Sequence, residues 1–197
     1  LVRADSAISD GAALLARLRR PADITIAMAT ARGNTNHMAL GRLARHAGAD
    51  PRALQLHVFD SARHTVADLL AGEAEVAAIT AVSAAPELAA GRLRALAVSA
   101  PRRLDGLYAA TPVWTELGVD CVIGTWRGVI GAAGLDAGQV AWWEQALGRA
   151  AASAAWQQEL QQQYWLDSWA GPAATREWLE RERAALGSSL AELGLRP

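Results

Sequence analysis

The 197-residue sequence has no lysine: every one of its 19 Lys-plus-Arg positions is arginine. Schiff-base lysine chemistry and a P-loop lysine are therefore excluded, because both need an ε-amine. Cysteine is nearly absent. The single Cys121 permits neither an internal disulfide nor a multi-cysteine metal site, and its setting in VDCVIGTW reads as a buried structural thiol. No apolar run approaches the roughly 20 residues that cross a bilayer. The chain opens at Leu1 with no initiator Met and no charged-then-apolar leader, so any export signal is expected to have been removed or left out. Net charge is lacking too. At −1 overall, with scattered basic residues, the chain has no long-range field for nucleic acid or an acidic membrane surface, and no nucleic-acid partner is expected.

Motifs of chemistry are missing as well. There is no G-x-S-x-G elbow, no H-E-x-x-H helix and no G-x-x-x-x-G-K-[ST] loop. The nearest acid–base grouping is Asp60, Ser61, His64 and Asp68, which a capped amphipathic helix explains equally well. His37, His46, His57 and His64 lack metal-ligand spacing with carboxylates or thiols. No catalytic residue, metal or cofactor is expected, and the protein reads as a non-enzyme.

What the sequence does have is 52% hydrophobic residues, enough for a substantial core in one large or two small domains. Apolar strands alternate with helices over the first half: Ile24–Ala29, Leu54–Phe59, Val76–Thr80 and Leu93–Ser99 as strands, after a strand end at Leu1–Arg3. Ser9-Asp10 caps a first helix, and Gly48 closes the second. Ser61–Ala71 is a helix stopped by Gly72, and a short one near Pro86–Ala90 ends at Gly91. This pattern predicts an α/β sheet covered on both faces, whose ligands bind at the carboxyl ends of the strands. Those ends carry Thr30 to Asn36, Asp60-Ser61, Thr80 with Ser83, and Ser99, a gathering of polar groups on one edge.

The second half changes character. A non-periodic traverse leads to TWRGVIGAAG (Thr125–Gly134), read as a strand and turn. Three helices follow: one with a capping box at Asp136 and Gln139, one carrying Trp156 and Leu160, and one opened by Pro172. Seven of the eight Trp lie beyond Val119, which gives the helical half a large aromatic surface for core or interface.

The pieces in order resemble the receptors of tripartite tricarboxylate transporters. LLAGEAEVAAIT, GRLRALAVSAPRRL and TWRGVIGAAG carry the resemblance most specifically, and it covers essentially the whole chain. It implies an α/β, periplasmic-binding-protein-like (type II) two-lobed architecture, represented here by one lobe plus the C-terminal part of the other, without the N-terminal part of the first lobe. Residues 1–119 would be the second-lobe domain with half of the ligand cleft, and residues 120–197 the returning strand and C-terminal helices of the first lobe. Hinge motion would centre on Leu1–Asp5 and Val122–Val129.

The function the resemblance implies is extracytoplasmic, periplasmic capture of a small organic carboxylate for the membrane components of such a transporter. The candidate ligand-binding residues are Thr30, Arg32, Gly33, Asn34, Thr35, Asn36, His37, Asp60, Ser61, Thr80 and Trp126. The turn departs from the family's usual Gly-Ser and Gly-Gly positions, retaining only Gly33 and showing Asp60, Ser61 and Ala62 at the second. Alternatives are an effector-sensing domain of a transcription regulator and a non-binding remnant or interaction module. The Trp-rich helices lead to one more expectation: the isolated chain self-associates, takes a partner that supplies strands, or leaves that half loosely packed.

Overall fold

A computed structural model of the chain describes residues 1–195. It divides into two compact units, one of residues 1–124 with 187–197 and one of residues 125–186. In the first unit, strand β1 (Val2–Arg3) leads to helix α1 (Gly11–Leu18), whose Asp10 cap accepts a hydrogen bond from the Ala13 N–H. Strand β2 (Thr25–Ala29) follows, then α2 (Thr35–His46), β3 (Gln55–Phe59), α3 (Ala62–Ala71), β4 (Val76–Ala78), α4 (Ala81–Ala89) and β5 (Leu93–Arg94).

The central sheet is parallel in the order β3-β2-β4, with Ala29 opposite Phe59 and Met28 opposite Ala78. β2 is buried on both faces because it is the middle strand: Ile26, Ala27 and Met28 have no exposed surface. Ala27 packs with Val66 and Leu69 of α3 and with Ala77, while the buried Met38, Leu40, Leu43 and Ala44 of α2 form another apolar stripe. Burying each large side chain contributes on the order of 1.5–3 kcal/mol. β1 and β5 form a separate two-stranded antiparallel ribbon.

Three sequence expectations need correction. Helix α4 starts at Ala81, five residues before Pro86; this proline sits inside the helix, and Thr80 is the cap. The strand expected over Leu93–Ser99 shrinks to two residues because β1 offers only two partners, and Val98 makes a lone bridge to Val113. Thr125–Gly134 forms no strand, since no neighbouring strand among the described residues pairs with it.

The last residues of the chain return to the first unit. Leu193 and Ser189 are buried, Arg45 of α2 pairs with Glu192, and a Cβ on Gly41 would lie 2.8 Å from Leu193 Cδ2. The second unit contains α5 (Ala137–Ala151), α6 (Ala154–Gln162) and most of α7 (Pro172–Glu192). The Asp136–Gln139 capping box forms as expected, both bonds being made.

Candidate functional site

Because the three sheet strands are parallel and in register, their carboxyl ends meet on one edge, and each hands over directly to a helix start. At β2 the chain leaves through Thr30, whose φ of 75° is a left-handed conformation that a β-branched residue rarely holds. Hydrogen bonds hold it there. The Thr30 N–H donates to Phe59 O at 2.7 Å, its hydroxyl donates to Ala29 O at 2.8 Å, and the Asn34 amide donates to Ala29 O at 2.7 Å and to the Thr30 hydroxyl at 2.6 Å. Asn34 Oδ1 meanwhile accepts the His37 N–H at 3.0 Å as the cap of α2.

His37 completes the turn from below. It is buried, and its Nδ1 accepts the Gly33 N–H at 2.9 Å, so the ring proton sits on Nε2. Burial, and then the nearby Arg32 charge, push its pKa below the usual histidine value, which keeps the ring neutral. Gly33 has φ 86°, and a Cβ there would meet Leu195 and Leu190 at 3.2 and 3.3 Å. The chain's last turns thus cover the underside of this loop. Sequence reasoning missed that cover, although a glycine inside a helix, Gly41, was a signal of close approach.

These bonds sort the candidate residues by what remains available to a ligand. The Asn34 amide, the Gly33 N–H and His37 Nδ1 are committed to the turn. The Asn36 N–H, at the second position of α2, has no acceptor among the described residues. Arg32 is exposed and makes no ion pair among them. Thr35 lies in the same first turn of α2.

At the end of β3, Ser61 caps α3 by accepting the His64 N–H at 3.3 Å, and Asp60 pairs with His64 Nδ1 at 2.7 Å. That bond holds the exposed Asp60 carboxyl below its ordinary range, so it is ionised. His57 pairs separately with Asp68 at 3.1 Å. The acid–base grouping of the sequence is therefore two surface pairs. At the end of β4 the Thr80 and Ser83 hydroxyls share one hydrogen bond of 2.9 Å, which leaves one O–H to donate elsewhere. A groove of about 430 Å³ between α3 and α4, lined by Ala62, Val66, Leu70 and Ser83 among others, starts beside this end.

Ten of the eleven candidates thus fall on one edge of the first unit. Trp126 belongs to the second unit, where its ring meets Trp178 edge to face at 5.4 Å. Cys121 is buried with its thiol pKa raised by that burial. No group of three or more His, Cys, Asp or Glu among the described residues could hold a metal, and no helix among them is long and apolar enough to cross a membrane.

The sequence model of the tripartite tricarboxylate transporter family receptor matches residues 1–190. The chain belongs to that family. Solved structures carry the same fold. A TctC solute-binding protein from Polaromonas superposes with a TM-score of 0.77 at 22% identity over 98% of this chain and 65% of its own. An R. palustris protein with adipate gives 0.80 at 21% over 100% and 64%, and MatC from Rhodopseudomonas palustris with bound malate gives 0.72 at 18% over 96% and 64%. Another match is described as a periplasmic transporter. No curated protein matches the sequence. The chain spans just under two-thirds of the length of these solved relatives. Its α/β, periplasmic-binding-protein-like fold is thus a partial one.

Proposed function

We propose that the protein is the periplasmic receptor of a tripartite tricarboxylate-type transporter, binding a small organic carboxylate without chemical change and delivering it to the membrane components. The observation that carries this reading is the convergence of three helix starts and Arg32, which has no ion pair among the described residues, on one sheet edge, in a chain of the receptor family. Helix starts present N–H donors and the positive end of the macrodipole to an anion. Arg32 supplies the charge, the Asn36 N–H a backbone donor, and the Thr80–Ser83 pair a hydroxyl. The ionised Asp60 repels a carboxylate placed beside it, so the bound carboxylate sits at the Arg32 and Asn36 end of the edge. Residues 1–119 serve as the second lobe and 120–197 as the returning part of the first.

The reading of a non-binding remnant is favoured by one observation, the internal use of the Gly33 and Asn34 donors. A thermal-shift screen separates the two. Malate and adipate, ligands of solved relatives, serve as probes alongside other four- to six-carbon dicarboxylates. A binder at 100 times its Kd adds about 2.7 kcal/mol, or roughly 5–10 °C for a chain of this size. Arg32→Ala then weakens binding about 10- to 100-fold through loss of a charge-assisted hydrogen bond. No shift with any probe, in the longest natural polypeptide containing this chain, favours the remnant.

A further inference from the structure

We propose that the groove between α3 and α4 binds an amphiphile with one anionic headgroup and an alkyl chain, a medium-chain monocarboxylate, at a site separate from the sheet edge. Two facing stripes build it. On α3, Arg63, Val66, Ala67 and Leu70 recur at i, i+3, i+4 and i+7 and so share one face of the helix; on α4, Ser83, Pro86 and Glu87 do the same at i, i+3 and i+4. Val66, buried, and Leu70, half-buried, form the floor, while Ala67 and Pro86 are exposed at the rim. Because β3 and β4 both run parallel to β2, the helices that follow them start at the same edge and run side by side. Arg63 and Ser83 therefore stand at one end of the groove, and Leu70 lies towards the other.

Charge sets the polarity of the occupant. Arg63 makes no ion pair among the described residues, and the Ser83 hydroxyl shares a single hydrogen bond with Thr80, so this end offers a cation beside a hydroxyl. Further along, the Glu87 carboxylate is held by Arg92 and opposes a second anionic group. One headgroup fits, and a dianion spanning the groove does not. Between these poles the side chains of Val66, Ala67, Leu70 and Pro86 carry no donor or acceptor, which suits an alkyl chain. Size decides between a small molecule and a polypeptide. Arg63 to Leu70 spans about 10 Å of helix, and a volume of about 430 Å³ falls among small-molecule sites, which run from roughly 300 to 1,000 Å³. Two helical turns cannot supply the about 800 Å² per partner of a stable protein interface.

Calorimetric titration of the longest natural polypeptide containing this chain with sodium octanoate, kept below its micelle concentration, should show saturable binding. Octanol, which has the same chain without the charge, should bind at least tenfold more weakly. Arg63→Glu should weaken octanoate binding by a similar factor, since each change removes a charge-assisted hydrogen bond. Ala67→Trp, at an exposed position of the groove wall, should abolish binding by filling the groove and leave the circular dichroism unaltered. Arg32→Ala should leave octanoate binding unchanged, and excess malate should not displace it. Those two controls separate this site from the sheet edge, so the groove stands or falls whether or not the edge takes a carboxylate. The proposal is overturned if octanoate does not bind saturably, if octanol binds as tightly, or if Arg63→Glu and Ala67→Trp leave binding intact. It is equally overturned if Arg32→Ala or malate abolishes octanoate binding, which would place the octanoate at the sheet edge.

Discussion

Replacing Asn34 by Ala should destabilise the first unit by about 2–3 kcal/mol, more than a half-buried turn residue ordinarily costs. The figure follows from three bonds. Oδ1 caps α2 through the His37 N–H, and losing such a cap costs about 1 kcal/mol. Nδ2 donates to Ala29 O and to the Thr30 hydroxyl, and each bond adds about 0.5–1.5 kcal/mol net. These last two also hold Thr30 at φ 75°, a conformation that costs on the order of 1–3 kcal/mol unless its surroundings enforce it. The two sites should therefore be coupled. In a Thr30→Gly background, where the left-handed conformation is unstrained, Asn34→Ala should cost only the cap, about 1 kcal/mol. Asn34→Asp keeps the cap and loses the donors, so it should fall between. Urea denaturation followed by circular dichroism gives the five stabilities, and amide exchange in β2 and α2 localises them to the first unit. A cost below about 0.5 kcal/mol for Asn34→Ala, or the same cost in both backgrounds, would refute the argument that this amide holds the turn.

Further predictions concern the same unit. The depressed His37 pKa means that the unfolded chain takes up a proton at a pH where the folded chain does not. Its contribution is fully present above the unfolded value of about 6.5 and is lost as pH falls through the lower folded value; the slope should vanish in His37→Gln, as denaturation at several pH values can check. Gly33→Ala should cost about 1–3 kcal/mol, since φ is 86° and the new Cβ meets Leu195 and Leu190. Cys121, buried and with a raised pKa, should resist thiol reagents in native buffer and react fully in urea. Rapid labelling of the native protein would contradict its placement.

Local signals made much of the edge legible in the sequence. The runs behind β2, β3 and β4 carry apolar residues, Asp10 and Asp136 cap helices where a cap was read, and Gly72 ends α3 with φ 81°. Non-local features were not legible. Pro86 resembled a helix start, but the helix tolerates it in its interior and starts at the Thr80 cap. Leu93–Ser99 and Thr125–Gly134 have strand composition, yet a strand exists only where a partner pairs with it. Nothing in the residue types foretells that Thr30 is left-handed, that His37 accepts from Gly33, or that Leu190 and Leu195 lie against the turn. Those facts decide which donors a ligand can reach, so the sequence located the edge more readily than its usable groups.

The most direct test of carboxylate binding at this edge is a two-dimensional NMR titration of backbone amides and arginine Nε–H groups with malate and with adipate. The account predicts saturable shifts at Arg32 Nε and the Asn36 amide, with smaller ones at Ser61 and Ser83, and their loss in Arg32→Ala. Absence of shifts with every dicarboxylate, or shifts confined to the groove between α3 and α4 or to the second unit, would contradict it.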